Sequence, residues 1–523
     1  MARFNVRTAR TAPTSPVTST GARTSTYEGG SGHRRDARSE LFLLAVANLV
    51  GQETFYEDRA TRDDRYTTLL RQAAVDDPAW TAGLLGWLRG DANMRTAALV
   101  GAAEFAHARL QAGAHGHTRQ AVASVLRRAD EPGELLALWT ARYGRAVPKP
   151  VKRGIADAVR ALWTERSLLK YDTALRGFRF GDVLELTHPA PDPERPWQGD
   201  LFRHAIDRRH GRDQEIPARL TMLRARAELM AHPVRQRRLL VHSEGAAETL
   251  RRAGMTWEAL AGWLQGPMDA AAWEAVIPSM GYMALLRNLR NFDATGVGDK
   301  AAEAVAARLA DPEEVAASRQ FPFRFLAAHR EARSLRWAWP LERALGHATA
   351  RVPALPGRTL VLVDRSGSMF HAMSEKTGLT YADAAAVFGT TVAQRAADAD
   401  LVAFGTTSHR IDLTRGESAL PVLERFGALG GTETAEAVRL HYRGHDRVLI
   451  VTDEQTGYGR RSDPGDVVPE RVPLYTWNLV GYYAGHAPSG GRNRHTFGGL
   501  TDHAFRAVPL LEAGRSAAWP WEH

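Results

Sequence analysis

Residues 361–369 read VLVDRSGSM, an aspartate and two serines spaced by two at the end of a short apolar run. A run of that length ending in a polar loop is the pattern of a buried parallel strand. In an open α/β sheet, ligands bind beyond the carboxyl ends of the strands. Asp364 stands at that end, with Ser366 and Ser368 on the loop that follows. Asp453 closes a second such run, VLIVTD, and Thr432 lies in the loop GGTET ahead of a predicted helix. Carboxylate and hydroxyl oxygens are hard donors, suited to Mg²⁺ first, with Mn²⁺ or Ca²⁺ as alternatives, rather than to zinc. Two direct carboxylates leave the coordination incomplete, and an acidic group from a partner protein would complete it.

The elements that position these residues form one block of the chain. After PALPG at 353–357, RTLVLVD, ADLVAFG, DRVLIVTDEQ and VPLYTWNLVG read as strands, and TYADAAAVFGTTVAQRAA and TETAEAVRLHY as helices. Strands alternating with helices imply a doubly wound, Rossmann-like α/β domain over 355–515, followed by a C-terminal tail at 516–523. Upstream, residues 39–354 are helical throughout. SELFLLAVANLV, AWTAGLLGWLRG and RGIADAVRALWTE repeat apolar residues at three-to-four spacing between short Gly, Pro or Asp breaks. Many short amphipathic helices in series predict HEAT-like helical pairs, with an irregular bundle as the alternative. Residues 1–38 are rich in Thr, Ser, Arg, Gly and Pro and almost free of large aliphatics, which predicts a disordered basic arm.

Bulk properties bound the function. The 523 residues include no cysteine, which excludes disulfides, zinc–thiolate sites and thiol catalysis and fits the cytoplasm. No run of about 18 apolar residues suggests a membrane span, so no membrane partner is expected. Net charge is +9, and only five of the 68 basic residues are lysine. From 355 onward there are 17 basic against 19 acidic residues, leaving 51 against 40 for residues 1–354. The positive excess therefore lies in the N-terminal part, where a polyanion would bind, although a solvated Arg-rich surface has the same composition. No HExxH, GxSxG nucleophile elbow, P-loop or second carboxylate cluster appears, which argues against an enzyme. Glu454, beside Asp453, is the one spare carboxylate near the candidate metal.

The set Asp364, Ser366, Ser368, Thr432 and Asp453 resembles the metal-ion-dependent adhesion site (MIDAS) of von Willebrand factor A domains: DxSxS, a distal Thr and a distal Asp, in that order. Arg365 departs from the smaller residue common there and is expected to lower cation affinity. The helical part resembles the TROVE module of the Ro autoantigen family and its bacterial Ro-like relatives. The stretches that carry this are SELFLLAVANLVGQETFYE at 39–57, LRGDANMRTAALVGAAEF at 88–105, KRGIADAV at 152–159, GFRFGDVLELTHP at 177–189 and PSMGYMALLRNLRNF at 278–292. The resemblance implies a ring of HEAT-like repeats closed by the A-type domain. It implies a platform for non-coding RNA, with Y-RNA-like stem-loops outside and single-stranded 3′ ends of misfolded RNA within. It further implies a ribonucleoprotein associated with an exoribonuclease, with no DNA partner.

Candidate RNA contacts follow. Lys149, Lys152 and Arg153 cluster at a predicted helix start, where backbone N–H groups also favour phosphate. His188 is similar to a position that contacts RNA in the family, and a satisfied core or cap histidine is the competing reading. Arg287 and Arg290 lie three apart beside Asn288 and Asn291, a polar face suited to a pore lining or to ion pairs between adjacent repeats. Arg235, Arg237 and Arg238 read as a solvated helix face. The alternative function is a metal-dependent adhesion module with incidental RNA binding.

Overall fold

The computed structural model describes residues 12–47, 50–212, 215–332, 334–350, 352–374, 377–414, 416–457, 463–501 and 503–522. The chain divides into two compact units, Leu70–Ala348 and Met1–Leu69 with Thr349–His523.

Residues 70–348 are helical throughout, in short helices some of which begin on a side-chain cap. Asp77 accepts from Trp80 N to start Pro78–Gly90, with proline in the first turn. Thr164 and Ser167 form a reciprocal capping box at Glu165–Tyr171. Successive helices pack in a series: Pro78–Gly90 on Thr118–Val125, that helix on Lys149–Leu162, then Phe180–Thr187 and Pro196–Arg209. Between neighbours the apolar filling is aromatic in places, as where Trp163 stacks on Phe180 at 3.7 Å and 8°. Arginines also join the helices through buried carboxylates. Glu131, fully buried, accepts from Arg89 (2.7 Å), Arg95 (2.9 Å) and the N–H groups of Arg127 and Arg128. Glu104, equally buried, holds Arg71 and Arg142. The early and late helices of the unit meet: Asn93 Nδ2 donates to the Arg319 carbonyl (2.5 Å), and Arg319 donates to the Arg89 carbonyl (3.1 Å).

The second unit contains eleven strands among the described residues. The first two are β1 (Ser19–Ser25) and β2 (Ser31–Arg35). Then come β3 (Leu355–Asp364), β4 (Ala372–Ser374), β5 (Thr377–Thr380), β6 (Ala396–Phe404), β7 (Ser408–Arg410) and β8 (Arg447–Thr452). The last are β9 (Leu474–Asn478), β10 (Ala484–Gly485) and β11 (Arg494–Gly498). The main sheet has the order β11-β9-β8-β3-β6-β7. Its pairings are parallel except at the edge strand β7. Leu360, Leu362, Val402, Phe404 and Ile450 pack on one face with Val438 of helix Thr434–His441. The other face takes helix Tyr381–Arg395, and Gly389 is needed there because a Cβ would stand 2.2 Å from Val363 Cγ2. From β3 the chain moves to β6 on one side and later returns to β8 on the other, so the strand order reverses between β3 and β8.

Three boundaries differ from the sequence expectation. The predicted disordered arm folds: β1 and β2 form an antiparallel hairpin, and β2 pairs with β10. Polar Ser/Thr/Arg strands need no aliphatic core when they add to an existing unit. Arg35 shows how this works, donating from a buried position to Glu454 (2.7 Å), Ser19 Oγ (2.8 Å) and the Ala487 carbonyl (2.9 Å). The first 11 residues of that arm lie outside the described residues. Helix Ala37–Ala47, expected at the head of the helical module, belongs with the sheet unit instead. Its residues Leu41–Ala47 are all buried, and a helix apolar all round must be covered on every side. The tail is packed as well, with Trp519 edge-on to Phe42 at 5.1 Å and Ala517 N bonded to the Thr14 carbonyl. By these units, residues 70–348 carry 40 basic against 32 acidic residues and the rest 28 against 27.

Candidate functional site

The strand-order reversal places Asp364 at the end of β3 next to Asp453, the residue after β8. Both carboxylates are fully buried. Asp364 accepts from Ser366 N (2.9 Å) and Thr452 Oγ1 (2.6 Å). Asp453 accepts from Ser368 Oγ (2.8 Å) and Gln455 N (3.0 Å). The two serine hydroxyls lie 3.3 Å apart. The loop carrying Thr432 is pinned to both sides of this group. Gly367 N donates to the Gly430 carbonyl (2.6 Å), and Gly457 N to the Thr432 carbonyl (3.1 Å). The Thr432 hydroxyl is buried and has no hydrogen-bond partner. All five residues singled out by spacing thus stand in one cluster of loops.

Burial pushes the Asp364 carboxyl up to about 6 and raises Asp453 well above the usual carboxylate range, the latter helped by Asp364 itself. Two buried carboxyl groups with raised proton affinity, and an orphaned hydroxyl on the adjoining loop, make a set of hard oxygen donors suited to a cation. The residues therefore fit a divalent metal: Asp364, Ser366, Ser368, Thr432 and Asp453 would hold it, and it would supply a Lewis-acidic position for an incoming carboxylate oxygen. Among the described residues no group of three or more His, Asp or Glu side chains gathers as a metal cage, so hydroxyls carry much of the donor set.

Arg365, expected to weaken cation binding, is directed elsewhere. Its guanidinium donates to the carbonyls of Gly427 and Ala382 (2.8 Å each) and lies over Phe370 at 4.7 Å. Glu454 is not spare: Arg35 and Asn478 Nδ2 occupy its two oxygens. Sequence reasoning missed Thr452 and Tyr56, the latter hydrogen-bonded to Glu28 at 2.7 Å. It also missed Glu28, which lies near enough to raise the proton affinity of Asp364 and Asp453. Thr452 was legible as the residue before a strand-end aspartate, whereas Glu28 sat in a segment whose composition signalled disorder.

The basic candidates spread over the helical unit. Lys149 and Arg153 are exposed and Lys152 half-buried on the first turns of Lys149–Leu162, with Lys149 at the helix start. His188 is exposed and is the left-handed C-cap of Phe180–Thr187 (φ 48°), so the cap reading holds for its backbone while its side chain faces solvent. Arg287 and Arg290 are exposed on Tyr282–Thr295. Arg290 pairs with Glu331 at 3.5 Å, both side chains more than 70% exposed. Asn288, expected on the same polar face, is buried and bonds the Ala284 carbonyl (2.8 Å), leaving Asn291 outside. Half-buried Arg324 lies close enough to Arg287 that burial and this like charge both lower its pKa. Arg237 and Arg238 bond the Trp263 and Pro267 carbonyls (2.6 and 2.9 Å), which ties this part of the basic run to neighbouring backbone.

The TROVE domain family matches residues 249–344, the stretch that contains Arg287, Arg290 and Arg324. Telomerase protein component 1 of Mus musculus is 47% identical over 62 residues, 12% of this chain and 2% of that protein. The Rattus norvegicus protein of the same name gives the same figures, so the chain spans about a fiftieth of either relative. Among solved structures, the Ro (RSR) protein of Deinococcus radiodurans superposes with a TM-score of 0.60 over 91% of this chain and 99% of that one, at 19% identity. No helix among the described residues is long and apolar enough to cross a membrane. Residues 249–344 thus match the TROVE domain family, and the chain shares the fold of the Deinococcus Ro protein.

Proposed function

We propose that this chain is an RNA-binding protein that also docks a protein partner through a divalent cation, and that it acts as a scaffold rather than a catalyst. The observation that carries the RNA reading is the pair of exposed guanidinium groups, Arg287 and Arg290, three residues apart on helix Tyr282–Thr295 inside the TROVE-matched stretch. Exposed guanidinium groups on one helix face bind phosphate oxygens through charge-assisted hydrogen bonds. The excess of 40 basic over 32 acidic residues in the helical unit supports the same reading. Lys149, Lys152, Arg153 and His188 would extend the contact to phosphate and 2′-hydroxyl groups. The RNA is a structured or misfolded non-coding species, Y-RNA-like or with a single-stranded 3′ end, handled in maturation or decay in the cytoplasm. The sheet unit is read as a von Willebrand factor A domain with a MIDAS holding Mg²⁺. Its buried donor set suits a partner carboxylate, an exoribonuclease being the partner class.

The test is RNA affinity measured against salt, using a single-stranded and a duplex probe. Reversing Arg287 and Arg290 to Glu should weaken the single-stranded probe at least about tenfold and flatten the salt slope by about two phosphate contacts. Equal losses on both probes, or an unchanged slope, would remove this face from the RNA site. The adhesion-module alternative predicts RNA binding too weak to measure at physiological salt.

A further inference from the structure

The tip of the N-terminal hairpin is seated on the loop that follows Asp453. Thr26 Oγ1 and Gly30 N both donate to the Thr456 carbonyl (2.7 and 3.2 Å), and Tyr27 N donates to Gln455 Oε1 (2.8 Å). Gly29 pairs with Gly457 across this junction. A Cβ at Gly30 would stand 2.4 Å from the Thr456 oxygen, so only glycine lets the tip approach this far. Tyr27 stacks on Tyr56 at 5.2 Å and 3°, with Tyr482 and Tyr483 edge-on at 5.3 Å. The tip is thus a packed element with a fixed seat.

Glu28 lies in the middle of that tip, half-buried. Its Oε1 accepts from the Tyr56 hydroxyl at 2.7 Å, and its charge is near enough to Asp364 and Asp453 to raise the proton affinity of both. Its Oε2 faces Gly457, where an added methyl group would touch it at 3.4 Å. That methyl position is also 3.9 Å from the Thr432 carbonyl, so the absence of a side chain at Gly457 keeps open the space between Glu28 and the Thr432 loop. Beyond it the Thr432 hydroxyl is buried and unpartnered. In this structure Glu28 is held by the Tyr56 hydroxyl.

Resting on the metal reading above, we propose that Glu28 is the site's own partner carboxylate, completing the coordination of a bound divalent cation in cis until an outside carboxylate displaces it. Two direct carboxylates leave the cation open coordination positions, and a third carboxylate stands across Gly457 from the Thr432 loop. A tethered group competes at an effective concentration in the millimolar range, so a lone free carboxylate is excluded. A partner with further contacts to the aromatic tip around Tyr27 can still displace it. The hairpin thereby sets a threshold for docking.

The experiment is Mn²⁺ titration of the full chain followed by electron paramagnetic resonance, with native protein, Glu28→Gln and Asp453→Asn. Glu28→Gln keeps an acceptor for Tyr56, and its melting temperature without metal should match the native chain. The variant should bind Mn²⁺ about tenfold more weakly, as supporting carboxylates of metal sites do when neutralised, and added acetate should restore part of the loss. Asp453→Asn should lose binding altogether. Should Glu28→Gln unfold, Glu28→Asp, which keeps the charge on a shorter arm, should give an intermediate affinity. Native affinity in Glu28→Gln, or in Glu28→Asp where that is the variant measured, alongside loss in Asp453→Asn overturns the cis ligand alone. Absence of Mn²⁺ binding by the native chain, or binding that Asp453→Asn leaves intact, overturns the metal reading and the cis ligand with it.

Discussion

The two units use charge in opposite ways. In residues 70–348, buried carboxylates such as Glu104 and Glu131 each gather two arginines, and the excess of positive charge remains on exposed helix faces. The sheet unit is almost balanced at 28 basic against 27 acidic residues, yet it buries two carboxylates at the point where its strand order reverses. Distributed surface charge suits a polyanion, because each phosphate contact releases counterions and no single residue is decisive. Concentrated buried charge suits one small cation, because desolvation makes the empty state costly and every ligand counts. A net charge summed over the chain hides both arrangements.

The comparison breaks most sharply at Asp364. Asp364→Ala should cost the chain at least about a hundredfold in Mg²⁺ or Mn²⁺ affinity while leaving RNA affinity within a few-fold. Calorimetry for the metal and a filter or gel-shift assay for RNA measure the two quantities on one preparation. A large loss of RNA binding with the fold intact would mean that the two kinds of site are not separable.

A smaller effect concerns pH without metal. The Asp364 carboxyl is raised by burial to about 6 in the folded chain, against 3.8 when solvated. The folded state therefore binds the proton more tightly, and this group favours folding below about pH 4 and loses that contribution as pH rises through 6. Between pH 7 and pH 4.5, metal-free native protein should gain several degrees of melting temperature relative to Asp364→Asn, as read by calorimetry. Saturating Mg²⁺ should shrink that difference by stabilising the ionised form at neutral pH. A difference between native chain and variant that is flat with pH would mean that the carboxylate is already compensated.

The candidate metal cluster was legible because its residues carry position information in local sequence. Asp364 and Asp453 each end an apolar run, and a strand end is a place in a sheet. The helical series was legible for a similar reason, since its short helices announce their apolar stripes between Gly, Pro or Asp breaks. The N-terminal hairpin was not legible, because Ser/Thr/Arg strands acquire their partners from β10, more than 440 residues away in sequence. Composition described the arm as unable to bury a core, and it buries none: it borrows one. The fate of individual arginines was equally hidden. Arg35 and Arg365 look alike on paper to Arg287, yet the first two are buried and bonded to protein groups while Arg287 is exposed. A charge count cannot make that distinction.

The smallest expected effect separates structural arginines from exposed ones within the helical unit. The Arg290–Glu331 pair is 3.5 Å long with both partners largely in water, so Arg290→Ala should change stability by less than about 1 kcal/mol. Glu131 is the contrast, buried and holding Arg89, Arg95 and two backbone N–H groups. Glu131→Ala leaves those donors unsatisfied and should cost about 3–5 kcal/mol in denaturant unfolding. If both substitutions cost the same, Arg290 is a structural tie rather than a free cation, and the face it shares with Arg287 is built to hold the repeats together. If only Glu131→Ala is costly, Arg290 contributes little of its interaction energy to the fold, and its charge is available to a phosphate.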